Sequence, residues 1–335
     1  MQSAFVRSVA HFGRKKCERK RVLGMLRIYR TDDREVNELT QYQADCWIHL
    51  TAPTSQELSW VVSQTGVDED FVRAPLDEEE RSRIESEDGQ TLIVVDTPFV
   101  ESDEHEKEQY TTIPMGIILL PSCIITVCLK DAVLLRDFYK GRVRSFSTKK
   151  RNRFVLQLLY RNAARFLYYL RRIDKRSNMV EDELHKSMKN KELISMLGLE
   201  KSLVYFSTSL KGNEAVLERL LRMSFIRQYP DDTDLLEDVI IENKQAIEMC
   251  TIYRDILSGT MDAFASVISN NLNILMKVLT LVTLIMTIPT IIASLWGMNV
   301  KVPFADTAGG FWIVLGICVL ISGITAWIMK RKKMF

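Results

Sequence analysis

Hydrophobic and polar positions divide the chain into parts with different periodicities. Up to about residue 140, short runs rich in β-branched residues alternate with turns and with acidic, helix-like stretches. Such alternation is typical of a mixed α/β arrangement. It predicts strands at MLRIY, DCWIHL, TLIVVDTPF, PMGIILL and CIITVCL. Residues 25–147 are therefore predicted to form an α/β domain, and the long helices that follow make the fold class α+β.

The middle of the chain has the periodicity of long helices. Residues 148–229 carry abundant Arg, Lys, Leu and Glu at helical spacing. The pattern is interrupted near 173–178 and again near 186–191, so we predict breaks at both places. This section is expected to form long antiparallel helices.

A very long helix is predicted next. Pro230 is expected to end the preceding helix, and Asp234 with Glu237 three residues later resembles a capping box. A single helix from Asp234 to Trp296 would be about 95 Å long. Its first part, residues 230–277, is predicted to be a cytoplasmic stalk.

Two charge-free segments lie close to the C-terminus, from Val278 to Val300 and from Thr307 to Met329. A helix of that length covers about 35 Å, enough to cross the hydrocarbon core of a bilayer. Two buried core helices of a soluble protein are the alternative, which is disfavoured because such long uncharged apolar runs are rarely core. We predict a transmembrane hairpin with a first span at 278–300, an external loop at 301–310, a second span at 311–329 and a basic tail at 330–335.

Charge gives the orientation of this hairpin. The formal net charge of the 335 residues is only +2, which gives no indication of nucleic-acid binding. Basic residues close to a span stay in the cytoplasm, and the tail carries them at 330–333 whereas the loop carries only Lys301. Both termini are therefore predicted to be cytoplasmic, in a multi-pass protein of the plasma membrane.

The N-terminal segment and the cysteines bear on cellular location. Residues 1–24 are basic and lack the sustained apolar stretch of a signal peptide. We interpret them as a solvated leader, with a membrane-surface or targeting segment as the alternative. The six cysteines contain no CxxC pair, which fits a reduced cytosolic setting.

The first span carries hydroxyl residues on one helical face. Five of them are spaced 3, 4, 3 and 4 residues apart, and smaller or polar residues continue the same alternation towards the N-terminus, interrupted only by Met276. We call this line the polar stripe: Asp255, Gly259, Asp262, Ser266, Ser269, Asn273, Met276, Thr280, Thr283, Thr287, Thr290 and Ser294.

Two interpretations of the polar stripe are open. Hydroxyl groups in membrane helices often bond their own backbone or pack against a neighbouring helix. A polar line through the whole bilayer thickness favours instead a water-lined pore between several copies of the helix, because one copy cannot enclose a pore. The predicted pore-lining residues are Asn273, Met276, Thr280, Thr283, Thr287, Thr290 and Ser294. The chain should then be a homo-oligomer.

The second span has no such line. Its polar residues Cys318, Ser322 and Thr325 are scattered, while Gly316 and Gly323 allow close packing. We expect this span to form an outer, lipid-facing ring. In the first span, Pro289 removes a backbone hydrogen bond and is expected to loosen the helix.

The first span ends in the tripeptide Gly297, Met298 and Asn299. A ring of Asn299 amide oxygens would accept hydrogen bonds from the water shell of a cation that dehydrates reluctantly, such as Mg²⁺. The alternative is that Gly297 merely ends a helix that Asn299 caps. The position, at the end of both the span and the polar stripe, favours a selectivity filter.

From these features together, the chain resembles the CorA family of divalent-cation channels. The resemblance covers nearly the whole sequence: the α/β domain, the helical section, the very long helix, the GMN tripeptide, the short loop, the second span and the basic tail. It implies a homopentamer with a funnel-shaped cytoplasmic part that conducts Mg²⁺ and often Co²⁺ or Ni²⁺. Asn299 matches the selectivity asparagine of the family.

The resemblance also implies regulation by cytoplasmic Mg²⁺ bound at acidic sites between subunits. By their distance from the GMN tripeptide, Asp238 and Asp262 correspond to the acids of the stalk. A partner acid on the α/β domain is expected within LDEEERSRIE, where Asp77 is the first candidate. The alternative for this acidic run is a solvated helix face.

The sequence departs from the family pattern in three places. Trp296 precedes Gly297 where tyrosine is usual, the loop has Lys301 and only Asp306 where more acid is expected, and Thr287 stands where a bulky gate residue is frequent. Met276 and Leu279 are the remaining gate candidates.

Other functions find less support. The sequence has no GxxxxGK[ST] motif, and HEKEQ lacks the second histidine of HExxH, so we expect no enzyme. A zinc transporter of the ZntB-like branch is the nearest alternative, although neither span contains histidine. A non-conducting, membrane-tethered coiled-coil scaffold is the second alternative, and its stripe should be apolar.

Overall fold

The computed structural model describes residues 25–32, 35–102, 108–187, 190–223, 229–298 and 309–331. The predicted leader, most of the loop and the end of the tail lie outside the described residues. The chain divides into two compact units, Met1–Leu257 and Ser258–Phe335. This division falls inside the longest helix and differs from the predicted domain boundaries, which stay predictions.

The first unit is built on a seven-stranded sheet. The strands are β1 (Met25–Asp32), β2 (Glu35–Leu39), β3 (Cys46–Thr51), β4 (Arg83–Glu87), β5 (Gln90–Ser102), β6 (Glu108–Leu119) and β7 (Cys123–Cys128). Their order across the sheet is β2-β1-β3-β7-β6-β5-β4. Neighbouring strands are antiparallel except for β3 and β7, which are parallel.

All five predicted strands are confirmed, and β2 and β4 are additional. Both additional strands lie at the edges of the sheet. Their sequences, EVNEL and RIESE, are mostly polar because an edge strand has little surface to bury. The acidic run from Asp77 is therefore not a helix face, since it leaves a 3-10 turn at Ala74–Leu76 and leads into β4.

Each face of the sheet carries its own hydrophobic core. One face packs against α1 (Ser55–Thr65) and α2 (Glu69–Arg73), with Ile48, Leu50 and Ile125 fully buried. The other carries an aromatic cluster of Trp47, Phe138, Phe146 and Phe154, which joins the sheet to α3 (Val133–Tyr139) and α4 (Arg151–Ser187).

Helix α4 is continuous, so the predicted break near 173–178 is wrong. Most residues of that segment are polar, but one apolar face continues through it. The buried residues of this face are Leu170, Ile173, Val180 and Leu184. The second predicted break, near 186–191, agrees with the end of α4 at Ser187 and the start of α5 (Asn190–Arg222).

Helix α6 (Pro230–Trp296) is a single helix of 67 residues, as predicted, but it begins earlier than expected. Pro230 starts it instead of ending its predecessor, because a proline at the first helical position lacks only an N–H that has no intrahelical partner. Asp234 and Glu237 lie inside the helix, so the predicted capping box is wrong. Asp231 and Asp232 occupy the first turn.

The first part of α6 packs against α5. Leu236, Val239 and Ala246 are fully buried. Two polar contacts fix the register: Asn243 Nδ2 donates to the Leu210 carbonyl at 3.1 Å, and Cys250 Sγ donates to the Leu203 carbonyl at 3.2 Å.

The second unit contains the end of α6 and α7 (Gly310–Arg331). Both helices are long and apolar enough to cross a membrane, with mean hydropathies of 2.2 and 2.3 in their most apolar stretches. Only 0% and 6% of those stretches are buried. The alternative of two buried core helices is therefore not supported, and the α+β fold class with a C-terminal helix pair is confirmed.

Candidate functional site

The five hydroxyl residues of the first span lie on an exposed face of α6. Each of them is exposed, whereas the residues on another face of the same stretch are half-buried. The exposed set is Thr280, Thr283, Thr287, Thr290 and Ser294, and the half-buried set is Leu281, Ile285, Ile288, Ile292 and Trp296. The polar stripe is thus left uncovered by the described residues of its own chain.

Four of these hydroxyl groups have the same orientation. Thr280, Thr283, Thr287 and Thr290 donate to the carbonyl four residues earlier at 2.8, 2.9, 2.7 and 2.8 Å. The hydroxyl hydrogen is therefore used inside the helix, and the oxygen lone pairs remain available on the exposed side. Backbone bonding and a polar lining are compatible, because the same oxygen both donates inward and can accept from water outside.

An open depression of about 650 Å³ follows this part of α6. Its lining includes Thr283, Thr287, Thr290 and Ser294 together with apolar neighbours. The depression is therefore lined by four hydroxyl residues of the stripe and by four apolar residues beside them.

The exposed line continues beyond the predicted polar stripe. Along α6 from Asp238 to Ser294, all the positions that continue the alternating spacing of three and four residues are exposed. The added positions are Asp238, Ile241, Gln245, Glu248 and Ile252. The sequence alone did not extend the line this far, because Ile241 and Ile252 interrupt its polar character; they are 63% and 54% exposed.

Helix α7 has one covered face and a wide apolar remainder. Gly310 and Cys318 are buried and Val314 and Ser322 are half-buried, whereas Trp312 is 71% exposed. A Cβ added at Gly316 or Gly323, the two glycines inside the helix, would meet nothing within 4 Å. Those glycines do not serve packing inside the described part of this chain.

The predicted selectivity filter is only partly within the described residues. Gly297 donates to the Ala293 carbonyl at 2.9 Å and lacks a left-handed φ, so it continues the helical pattern without needing glycine's conformational freedom. A Cβ there would lie 3.3 Å from the Ala293 carbonyl. Met298 is 53% exposed, and Asn299 lies outside the described residues, as do Lys301 and Asp306.

The predicted gate residues are both exposed. Met276 lies on the polar stripe and Leu279 lies beside it, and each is 60% exposed. The described part of the chain leaves both side chains largely uncovered, so they can contact another surface. Pro289 lies within α6 without ending it.

The predicted regulatory acids are separate in this chain. Asp77, Asp238 and Asp262 are all exposed. No group of three or more His, Cys, Asp or Glu side chains that could hold a metal occurs among the described residues. Asp238 and Asp262 are 24 residues apart on α6, more than six helical turns, and so cannot bind one ion within one chain.

Asp238 lies in a locally acidic environment. Glu242 is one turn further along α6, and Tyr160 on α4 donates to Glu242 Oε1 at 3.4 Å. Burial, the two carboxylates and this hydrogen bond raise the pKa of Tyr160. An added cation would relieve the repulsion between these carboxylates.

An α/β domain, long helices and two membrane-compatible helices, the first with a polar stripe, define a two-span membrane protein. The chain matches the family described as CorA-like Mg²⁺ transporter protein over residues 42–331. It is 30% identical over 299 residues to the cobalt/magnesium transport protein CorA of Methanocaldococcus jannaschii, covering 85% of this chain and 90% of that protein. A protein of the same name from Thermotoga maritima is 24% identical over 311 residues, covering 90% and 87%. The chain belongs to the CorA-like Mg²⁺ transporter family.

Solved structures agree with this assignment. The complete structure of the CorA magnesium transporter from Methanocaldococcus jannaschii matches with a TM-score of 0.80 at 25% identity, covering 93% of this chain and 99% of that one. The cytoplasmic domain of ZntB from Vibrio parahaemolyticus matches with a TM-score of 0.56 at 12% identity, covering 74% and 98%. The ZntB match shows a shared fold alone.

Proposed function

We propose that several copies of this chain surround a pore lined by the polar stripe and conduct hydrated Mg²⁺ into the cell. Co²⁺ and Ni²⁺ are further candidate ions. The observation that carries this proposal is the orientation of the four threonine hydroxyls, whose lone pairs remain available on an exposed helical face. The named CorA relatives are cobalt/magnesium transport proteins, which supports the choice of ions.

The hydroxyl orientation suits a hydrated cation. Water molecules bound to Mg²⁺ direct their hydrogens outward, and Mg²⁺ gives up these waters reluctantly. A wall of acceptor oxygens can bind such a hydrated ion without removing its shell. Neutral hydroxyls hold it more weakly than carboxylates would, so the ion can leave.

A pore of this kind requires an oligomer. One α6 cannot surround a channel, and its exposed line includes Ile241 and Ile252, which would be covered if it met a second copy. The family resemblance suggests a homopentamer in the plasma membrane with both termini in the cytoplasm. Asn299 would form the filter at the outer mouth, and Met276 and Leu279 would form the gate.

The membrane potential would drive transport without ATP. A potential of 100 mV contributes about 2.3 kcal/mol per elementary charge, hence about 4.6 kcal/mol for a divalent ion. A passive channel is therefore sufficient, and we propose no catalytic activity.

Cytoplasmic Mg²⁺ would act as the regulatory ion. We place Asp238, Asp262 and Asp77 at contacts between subunits, where a bound ion would neutralise facing carboxylates and hold the closed arrangement. Asp238→Asn with Asp262→Asn should then leave Mg²⁺ flux high when Mg²⁺ is present on the cytoplasmic side, because neutral amides bind the closing ion much more weakly than carboxylates do. Flux that stays inhibited as in the unaltered protein would contradict this role.

The central test is Mg²⁺ and Zn²⁺ uptake into proteoliposomes under an inside-negative potential. Thr290→Val removes the acceptor oxygen on the polar stripe while keeping the side-chain shape. Thr325→Val is the matched control, because Thr325 on α7 donates to its own Ile321 carbonyl at 2.9 Å but lies off the stripe. Of these two variants, we expect only Thr290→Val to reduce Mg²⁺ uptake several-fold. We expect Asn299→Ala to abolish Mg²⁺ uptake or to remove its selectivity for Mg²⁺.

Three outcomes would contradict the proposal. Equal loss in both threonine variants would indicate helix packing, not a lining. Uptake of Zn²⁺ alone would favour the ZntB-like branch. A folded sample that passes neither ion would favour a scaffold without conduction.

A further inference from the structure

Two buried cysteines face each other across the only parallel strand pair among the described strands. Cys46 opens β3, Cys123 opens β7, and the two are register partners. Adjacent strands lie about 4.8 Å apart, which falls within the range of about 4.4–6.8 Å between the Cα atoms of a disulfide. Both side chains are 0% exposed, and their thiols are hydrogen-bonded to each other.

A thin polar cover separates this pair from solvent. The Tyr42 hydroxyl donates to Ser122 Oγ at 2.9 Å and also bonds the Cys123 thiol. The Asp45 amide donates to the Ser122 carbonyl at 2.7 Å. Residues 40–45 form bends and turns without a helix or strand, so local opening of this segment would expose the thiols without separating the central strands.

The two thiols differ in acidity. The hydrogen bond from Cys123 lowers the pKa of Cys46 against the effect of burial, and the Arg30 charge contributes in the same direction. The same hydrogen bond and burial raise the pKa of Cys123. Cys46 directly follows the segment 40–45 that covers the pair, and its pKa is lowered, so we assign it as the attacking thiol.

The other described cysteines of this unit lack such a partner. Burial raises the pKa of Cys128, and it raises the pKa of Cys250 to about 11. Cys128 has Thr51 and Met115 as its register partners, and Cys250 donates to a backbone carbonyl. The chain therefore provides matched, unreactive controls.

We propose that Cys46 and Cys123 form a redox-sensitive dithiol that a low-molecular-weight disulfide converts to an intrachain bridge. The Cys46 thiolate attacks one sulfur of the external disulfide and releases one thiolate, which takes up a proton. Cys123 then loses its proton and attacks the Cys46 sulfur of the mixed disulfide, releasing the second thiol. The protein loses two hydrogens and two electrons, and the external disulfide becomes two thiols.

The experiment uses full-length protein in detergent, in a Cys17→Ser background because Cys17 lies outside the described residues. The native protein is incubated with oxidised glutathione, quenched with acid, alkylated in denaturant and mapped by mass spectrometry. We expect a linked peptide joining positions 46 and 123, a mass loss of two hydrogens and reversal by dithiothreitol. Cys250 and Cys318 should remain alkylated.

Two cysteine variants show which sulfur atoms form the bridge and which thiol attacks first. Cys123 and Cys128 lie in one tryptic peptide between Lys107 and Lys130, so the linked peptide alone does not show which of them is bridged. The Cys128→Ser protein should still form the bridge, which would identify Cys123 as the bridged residue. Cys123→Ser should stop at a mixed disulfide of Cys46 with glutathione. Tyr42→Phe should accelerate bridging several-fold, because it removes one hydrogen bond of the cover.

The proposal is overturned if positions 46 and 123 stay fully alkylatable after native oxidation while the urea-unfolded protein forms the bridge. It is equally overturned if the oxidised protein shows the bridge but has lost its cooperative thermal transition, since the reaction would then belong to unfolded chains.

Discussion

Lowering the pH should destabilise the protein through one buried histidine. His49 is 2% exposed and lies between two hydroxyls, with Thr126 Oγ1 3.0 Å from Nδ1 and Thr51 Oγ1 3.0 Å from Nε2. Burial lowers the pKa of His49 from 6.5 to about 4, with the Asp131 charge opposing this shift and Arg27 adding to it. The folded state therefore keeps the ring neutral.

The sign and size of the effect follow from linkage. Between pH 6.5 and 4 the unfolded chain binds a proton at His49 that the folded chain does not, so stability is retained above pH 6.5 and falls as the pH decreases. At 1.36 kcal/mol per pH unit, the loss is about 2 kcal/mol at pH 5 and about 3 kcal/mol below pH 4. For a unit of this size, about 2 kcal/mol corresponds to a decrease in Tm of about 4–8 °C.

The assay is thermal melting of full-length protein in detergent from pH 7.5 to pH 4.5, compared with His49→Gln. Other groups titrate in this range, but they do so equally in both proteins, so the difference between the two pH dependences isolates His49. The variant should be less stable at pH 7.5 and should lose less stability on acidification. Parallel curves for the two proteins would refute the assignment of this pH dependence to the buried imidazole.

Three further changes test the packing by thermal melting. Gly116→Ala should cost about 1–3 kcal/mol, because the new Cβ would lie 2.1 Å from Pro75 Cγ. Gly198→Ala should instead stabilise by about 0.5–1 kcal/mol, since it lies inside α5 with nothing within 4 Å. Asn213→Leu should cost about 2 kcal/mol or more, because its amide pairs with both the N–H and the carbonyl of Asp96, each at 2.9 Å. An unchanged Tm in the first or third variant, or a lower Tm in the second, would contradict the corresponding contact.

The sequence pattern was sufficient where burial alone decides structure. The five apolar strands and the uninterrupted α6 were predicted correctly, because buried strands and long membrane-compatible helices require apolar residues at fixed spacing. The edge strands β2 and β4 were not predicted, because their polar sequences resemble loops and only pairing with a neighbouring strand makes them strands. The prediction for Pro230 was wrong because proline can either end a helix or begin one, and only the residues of the following turn determine which of the two occurs.

The helical face that carries the hydroxyl residues was predictable from the sequence, but the orientation of the hydroxyl groups was not. The spacing of Thr280, Thr283, Thr287 and Thr290 places them on one face, but their rotamers decide whether the hydroxyl hydrogens point to the backbone or outward. The Cys46 and Cys123 pair was missed because the residues are 77 positions apart and share no short motif. Their proximity follows from the strand order of the sheet.

The hydroxyl orientation also bears on which ions a pore of this kind would exclude. A hydrated anion needs hydrogen-bond donors from the wall, and these four hydroxyls have already used theirs on backbone carbonyls. A dehydrated Zn²⁺ prefers nitrogen or thiolate ligands, and the first span, which carries the polar stripe, contains neither histidine nor cysteine in its sequence. What remains is a cation that keeps its water shell, since only that shell offers donors to a wall of acceptor oxygens.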